Sequence, residues 1–256
     1  MTDLAREAAI AASADRTDGV RPALRRLGNT GHLRDLTHVF RQGFPVGRYD
    51  SPCREDLASY EEEGFTSNRW SFVEHTGTHV DAPSHFSPDG VDVSRIPLDD
   101  LVVTIAVIDI AARVADDPDT AVTVADIERY ERTYGRLPDG AGVFMRSGWD
   151  ARAGDSRSYN GVGDDDLRRS PGFGADAAGW LIDNRDVTCL GVDSPSIDTG
   201  SSTGFPVHHR WLGAGRYAVE GLAGLSAIPA AGAVAFIGVV PWENGTGGPC
   251  RVIATW

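Results

Sequence analysis

The sequence predicts an α/β fold, a single layered domain in which helices flank a central mixed sheet. Two observations lead to this prediction. Apolar runs rich in Val and Ile, such as residues 101–110 and 233–240, have the composition of buried strands. Segments with helical spacing separate such runs, and strands that alternate with helices are typical of α/β layers. The length of 256 residues suits one substantial core, so we expect one domain over residues 31–256.

The elements follow in chain order. Residues 1–30 are rich in Ala and Arg with helical spacing, which predicts an N-terminal helical arm. Residues 41–67 are too polar and irregular for core and predict a long surface loop, which in a compact domain is often a functional lid. The predicted strands cover residues 33–40, 68–75, 101–110, 142–149, 187–193, 216–222, 233–240 and 251–256.

Three segments predict helices. In the segment 123–135, Thr123 is the expected N-cap, Asp126 follows three residues later, and Gly135 is the expected end. Residues 173–185 predict a second helix, and residues 207–215 predict a short helical turn.

Composition excludes several classes of function. The net charge of −13 disfavours binding to nucleic acids and to anionic membranes. Every basic residue counted is arginine, which excludes Schiff-base and P-loop chemistry that needs a lysine. The chain has neither an apolar run of membrane-spanning length nor a signal-peptide pattern, so we expect a cytoplasmic protein.

A cluster of histidines is the main chemical signal. Three of the seven histidines fall within eleven residues of the segment EHTGTHVDAPSHF, residues 74–86. Gly77 and Pro83 make a helix through this segment unfavourable, and alternate residues of an extended chain share a face. All members of the cluster have odd numbers, so their side chains can converge. They are His75, His79, Asp81 and His85.

Converging imidazoles and a carboxylate predict a metal site. These ligands suit zinc, manganese or iron(II), and without a cysteine among them there is no strong selection for zinc. The alternative is a polar loop with surface histidines. That alternative does not explain why all four residues stand at odd-numbered positions.

The segment resembles a known family. HTGTHVDAPSH fits the pattern H-x-G-T-H-x-D-x-P-x-H of the cyclase-like metal hydrolases, which include bacterial kynurenine formamidases and isatin hydrolases. Further blocks, such as LGVDSPSID and FPVHHRWLGAGRYAVEGL, are similar to that family's blocks in the same order, and together they cover roughly residues 34–256. The resemblance implies a swivelling β/β/α fold.

The resemblance also implies roles for individual residues. His75, His79 and Asp81 resemble the ligands of a first metal, with Asp81 bridging to a second. In kynurenine formamidases a histidine and a glutamate twelve residues apart complete a two-metal site. His208 and Glu220 have that separation, whereas the adjacent His209 does not. The implied cofactor is one or two divalent ions, Zn²⁺ or Mn²⁺; a glutamine at the glutamate position accompanies one metal in some members, so Glu220 favours two.

His85 resembles the catalytic acid/base. Its chemistry agrees, because a metal can lower the pKa of bound water from ~15.7 to ~7, and a histidine near neutrality can protonate the leaving group. The alternative is that His85 is a further ligand or orients one. Asp198 either orients His208 or forms a local turn. Three aromatic residues flank the motifs and are candidates for contact with substrate: Phe44, Trp70 and Phe86.

The expected function is hydrolysis of an amide, lactam or ester of a small, cyclic or aromatic substrate by metal-activated water. Two alternatives remain: a metal-dependent cyclase or dehydratase that consumes no water, and a non-catalytic metal-containing binding protein. The partners expected are the small-molecule substrate and other copies of the chain in a homodimer or homotetramer, with no nucleic acid and no membrane.

Overall fold

The computed structural model describes residues 31–47 and 49–256, so the arm predicted over residues 1–30 lies outside the described residues. In the described part of the chain, no helix combines the length and the apolar character that crossing a bilayer requires.

Strands dominate the described residues. In chain order they are β1 Leu33–Asp35, β2 Cys53–Ala58, β3 Ser67–Ser71, β4 His79–Asp81, β5 Val102–Asp109, β6 Ala121–Val122, β7 Ala141–Arg146, β8 Gly172–Phe173, β9 Val187–Val192, β10 Tyr217–Glu220, β11 Ala231–Val239 and β12 Gly247–Thr255. The helices are α1 Tyr60–Glu63, α2 Ala111–Val114, α3 Val124–Tyr134, α4 Ser156–Tyr159, α5 Ala175–Asn184 and α6 Pro206–Gly213.

The main sheet is mixed, as predicted, but it closes on itself instead of forming a flat layer. Its order is β1-β12-β11-β5-β7-β9-β10-β4, and β4 pairs with β12 as well. Strands β5, β7, β9 and β10 are parallel neighbours, and the other pairings are antiparallel. Closure is possible because β12 is long. Its first residues, Gly247–Pro249, pair with β4, while Ile253–Thr255 pair with β1. The seven-strand ring therefore leaves fewer unpaired edges than an open sheet.

The segment predicted as a long loop contains regular structure. Strands β2 and β3 form an antiparallel hairpin, with α1 in its connection, and Arg69 donates to Glu55 across it at 2.8 Å. Of the strand predicted over residues 68–75, only residues 68–71 lie in a strand, which is the second strand of this hairpin and does not join the main sheet. Most of its residues are exposed, so it lacks the apolar alternation that identifies a strand with one buried face.

The first predicted strand is also shorter than expected. Over residues 33–40 only β1 is regular, and beyond it Thr37 forms an isolated bridge with Leu222.

The helix predictions are confirmed. In α3 the Thr123 hydroxyl accepts from the amide of Asp126 at 3.3 Å, and the Asp126 carboxylate accepts from the amide of Thr123 at 2.9 Å. This reciprocal capping box satisfies two amides that the helix itself leaves unpaired. The predicted end is the C-cap, Gly135.

Two apolar clusters lie on opposite faces of the barrel wall. Along β5, Ile105 and Val107 belong to one cluster with strand residues of the closed sheet. Ala106 and Ile108 alternate with them and belong to the other cluster, which includes residues of α3, α5 and α6. The period of two directs successive side chains to opposite faces. The helices thus cover the outside of the parallel strands, and α6 packs next to the turn after β4.

Candidate metal centre

Strand β4 positions the first site residues. His79 and Asp81 are separated by one residue and share a face of the strand, and His79 is paired directly with Glu220 of β10. Before β4, the chain turns at Gly77 with a φ of +71°, a conformation that favours glycine and that brings His75 back beside Asp81. His208 comes from α6 and is buried, whereas the adjacent His209 is exposed.

The five predicted ligands meet in two triads that share Asp81: His75, His79 and Asp81, and then Asp81, His208 and Glu220. In each triad the possible ligand atoms lie within 4.8 Å of one another. Nε2 of His79 is 3.3 Å from Oδ1 of Asp81 and 3.4 Å from Oε2 of Glu220. Nε2 of His208 is 3.1 Å from Oε1 of Glu220 and 3.4 Å from Oδ2 of Asp81. These residues are placed to bind a metal.

The donor atoms fit a cation. Nε2 of His79 and Oδ2 of Asp81 are buried without a hydrogen-bond partner, which is costly unless another group satisfies them. Burial opposes charge on His79, yet the close carboxylates of Asp81 and Glu220 favour the charged ring and raise its pKa to about 10. Burial likewise opposes charge on Asp81, yet the neighbouring histidines, His75 foremost, hold its pKa well below the usual range. The cluster therefore favours positive charge between its carboxylates.

The carboxylate of Asp198 contacts both the ring of His208 and the first amides of α6. Its Oδ2 is 2.6 Å from Nδ1 of His208, and its carboxylate accepts from the amides of Val207 at 2.9 Å and His208 at 3.1 Å. The prediction that Asp198 orients His208 is confirmed. The alternative of a local turn is wrong, because the amide of Gly200, two residues on, donates to the carbonyl of Ser170 and the carboxylate accepts instead from amides at the start of α6.

His85 lies beside the triads but belongs to neither of them. It ends a single 3₁₀ turn, Pro83–His85, and its ring stacks on His75 with a centroid separation of 3.8 Å and an interplanar angle of 22°. Its centroid is 6.2 Å from that of His208. Burial lowers the pKa of His85 to about 4, below the near-neutral value expected of a histidine that transfers protons, so the ring is neutral at pH 7.

The three aromatic candidates lie in different places. Phe86 is at the centre, with its ring 4.7 Å from that of His208. Trp70 is on the hairpin, where its ring lies 5.6 Å from that of Phe40. Phe44 is a core residue, 1% exposed, in a cluster with Trp149 and Tyr159, so it has almost no surface for a substrate.

Sequence reasoning missed two residues of the site. Phe205 lies 5.5 Å from Phe86 and 5.7 Å from His208 between ring centroids, in a left-handed conformation with φ of +50°. Its only signal is its position between a glycine and a proline before a predicted helix. Thr246 is 3.0 Å from Nε2 of His75, and nothing local in the sequence points to that contact.

Known proteins share this fold. A family model described as "Putative cyclase" matches residues 34–199. The chain is 32% identical over 213 residues to isatin hydrolase from Roseibium aggregatum, covering 77% of this chain and 78% of that protein. It is 27% identical over 190 residues to kynurenine formamidase from Erythrobacter litoralis, covering 73% of this chain and 77% of that protein. The crystal structure of an isatin hydrolase bound to the product analogue thioisatinate matches with a TM-score of 0.84 and 26% identity, covering 100% of this chain and 99% of that one.

A closed mixed sheet that carries two carboxylate–imidazole triads defines a metal-dependent protein of the α/β class. The chain belongs to the Cyclase family.

Proposed function

We propose that this protein opens the C–N bond of a small cyclic or aryl amide, with the triads holding one or two divalent cations and His85 moving the proton. The broader class is a metal-dependent hydrolase that acts on non-peptide C–N bonds, in keeping with relatives named isatin hydrolase and kynurenine formamidase. The observation that carries the proposal is the pair of triads sharing Asp81, with an imidazole outside them stacked on His75.

The five proposed ligands form two sets, one for each cation. His75 and His79 would hold the first with Asp81, and His208 and Glu220 would hold the second. Zinc and manganese both suit imidazole and carboxylate donors. A divalent cation held there would polarise the substrate carbonyl and make a water molecule acidic enough to attack at neutral pH.

His85 is suited to proton transfer because it is neutral at pH 7 and belongs to neither triad. Its imidazole can take a proton from the water as that water adds to the carbonyl carbon. The same imidazole can give the proton to the nitrogen as the C–N bond breaks, which leaves an amine and a carboxylic acid that loses its remaining proton to solvent. Stacking on His75 keeps the ring within reach of the triads.

An aromatic substrate is favoured by the surroundings of the triads. Phe86 and Phe205 lie against His208 and offer ring surfaces on which a planar substrate can pack. Trp70 and Phe40 form a second aromatic pair near the turn at Gly77. Isatin is a planar cyclic amide fused to a benzene ring, and one structural relative was solved with the product analogue thioisatinate.

Metal analysis of the purified protein followed by a substrate screen tests the proposal. Isatins, formanilides, lactones and cyclic imides are assayed after removal of metal and after restoration of Zn²⁺ or Mn²⁺. The expected result is metal-dependent ring opening of an aromatic lactam or deformylation of an anilide. In ¹⁸O-water, one solvent oxygen should enter the product. Turnover without solvent oxygen in the product would instead establish a cyclase or dehydratase, and metal binding without any turnover would favour a binding protein.

Assembly into a homodimer or homotetramer belongs to the same proposal. The β2–β3 hairpin supports it, because this element has apolar residues that a single copy leaves exposed, including Leu57 at 45%, Phe65 at 54% and Trp70 at 37%. Light scattering should give a mass of two or four times the 27.3 kDa of one chain. A single-chain mass at micromolar concentration would refute the assembly. Location in the cytoplasm stays a prediction that cell fractionation can test.

A further inference from the structure

In two imidazoles of the triads, one nitrogen contacts a group outside the triads that can only accept a hydrogen bond. Nδ1 of His79 lies 3.0 Å from the carbonyl of Gly77, and Nδ1 of His208 lies 2.6 Å from the carboxylate of Asp198. Because these groups only accept, each Nδ1 carries the hydrogen in the neutral ring that a cation requires, and Nε2 then presents its lone pair to the triads. The tautomer of both rings is therefore fixed by the partner outside the triads.

His75 has the opposite orientation and a less selective partner. Its Nδ1 lies 2.6 Å from Oδ1 of Asp81, and its Nε2 lies 3.0 Å from the hydroxyl of Thr246. A hydroxyl both donates and accepts. Without a cation, the carboxylate of Asp81 can only accept from Nδ1 of His75, so a cation beside Asp81 has to replace the hydrogen on Nδ1. The ring must then keep its hydrogen on Nε2, which Thr246 alone would not require.

Glu74 removes this ambiguity. Its Oε2 accepts from the hydroxyl of Thr246 at 2.7 Å and from the amide of Thr246 at 3.0 Å. A hydroxyl has one hydrogen, so once Thr246 donates to Glu74 it can only accept from His75. Nε2 of His75 then carries the hydrogen.

Backbone hydrogen bonds fix the position of Thr246 relative to the metal centre. Its carbonyl accepts from the amide of Ala82 at 2.9 Å, and the carbonyl of Gly245 accepts from the amide of Val93 at 2.9 Å. Ala82 directly follows β4, which carries His79 and Asp81. The same strand therefore fixes the ligands and the turn that bears the hydroxyl.

We propose that Glu74 is a positioning residue for the metal centre, which through the hydroxyl of Thr246 fixes the tautomer of His75 that binds a cation through Nδ1. The inference rests on the proposed function, because it requires His75 to be a ligand. Glu74 and Thr246 are not themselves ligands in it.

The hydrogen-bonded chain from Glu74 through Thr246 to His75 is called the relay here. Zn²⁺ titration of the metal-stripped protein, by calorimetry with a competing chelator, tests the relay without measuring activity. Thr246→Val keeps the shape and removes the hydroxyl, so the dissociation constant should rise about 10–100-fold. Thr246→Ser keeps the hydroxyl and should bind like the unaltered protein. Glu74→Ala should weaken Zn²⁺ binding. Glu74→Gln keeps an accepting oxygen, so it should bind Zn²⁺ with the affinity of the unaltered protein.

The outcomes separate the relay from the proposed function. If the unaltered protein binds no Zn²⁺, the metal centre itself is refuted. If it binds Zn²⁺ and Thr246→Val binds equally well, the relay alone is refuted. If Glu74→Gln binds as weakly as Glu74→Ala, the negative charge of Glu74 matters and not its hydrogen bond to Thr246, which also overturns the relay.

Nuclear magnetic resonance of ¹⁵N-labelled histidines reads the tautomer directly. In the Zn²⁺-loaded protein, the signal lost in His75→Asn identifies His75. The relay predicts hydrogen on Nε2 and metal on Nδ1 in this ring. Hydrogen on Nδ1 would overturn the proposal even if the affinities followed it.

Discussion

Gly247→Ala tests how closely the backbone of the barrel is fitted to the metal centre. A methyl group at this position would lie 2.3 Å from the carbonyl oxygen of Val80 and 2.7 Å from Cε1 of His75. Neither distance is tolerable for a carbon atom. The carbonyl oxygen is part of β4, so relief requires a shift of the strand that carries His79 and Asp81.

The expected cost is that of overpacking, about 1–3 kcal/mol. For a chain of this size each kcal/mol lowers the melting temperature by about 2–4 °C, so the loss should be about 2–12 °C in EDTA, where no metal contributes. Displacement of His75 should also raise the dissociation constant of the first cation about tenfold or more, the order of effect seen when a ligand loses its orientation.

Gly238→Ala is the matched control. This glycine lies on β11, next to β12, and a methyl group there would meet only the carbonyl oxygen of Arg251 at 3.7 Å, an ordinary contact. Differential scanning calorimetry measures the melting temperature of both variants, and Zn²⁺ titration measures their metal affinity. A Gly247→Ala protein with the melting temperature and metal affinity of Gly238→Ala would refute the close packing of His75 on this strand.

Three further predictions concern the site. His85→Ala should keep its metal, as read by elemental analysis, while turnover falls ~10²–10⁴-fold; loss of the metal would make His85 a ligand. Burial lowers the pKa of His85 from 6.5 to about 4, so between these pH values the unfolded metal-free chain binds more protons than the folded one, and stability should rise with pH across that window. Urea titrations should show a smaller rise in His85→Asn, and an equal rise would contradict this. Asp198→Asn should weaken cation binding at His208 and Glu220 about 10–100-fold in calorimetry, whereas Asp92→Asn, at an exposed cap, should not; equal affinities would refute the role of Asp198.

The parts of the site that the sequence could predict are those set by local geometry. His79 and Asp81 share a face because alternate residues of a strand do so. The capping box at Thr123 and Asp126 depends on four consecutive residues, and it forms as predicted. The family motif added His208 and Glu220 through their fixed separation, and the structure brings both to Asp81.

Tertiary structure decided what depends on strand pairing and on packing. The closure of the sheet depends on β12 reaching both β4 and β1, a choice among pairings that no local pattern specifies. Phe44 lies in the core because the chain folds it against Trp149, although its neighbours in sequence are polar enough for a loop. Thr246 is 171 residues from His75 in the chain and 3.0 Å from it in space. Short-range spacing fixes which side chains point the same way, whereas the contacts between distant segments exist only once the barrel has closed.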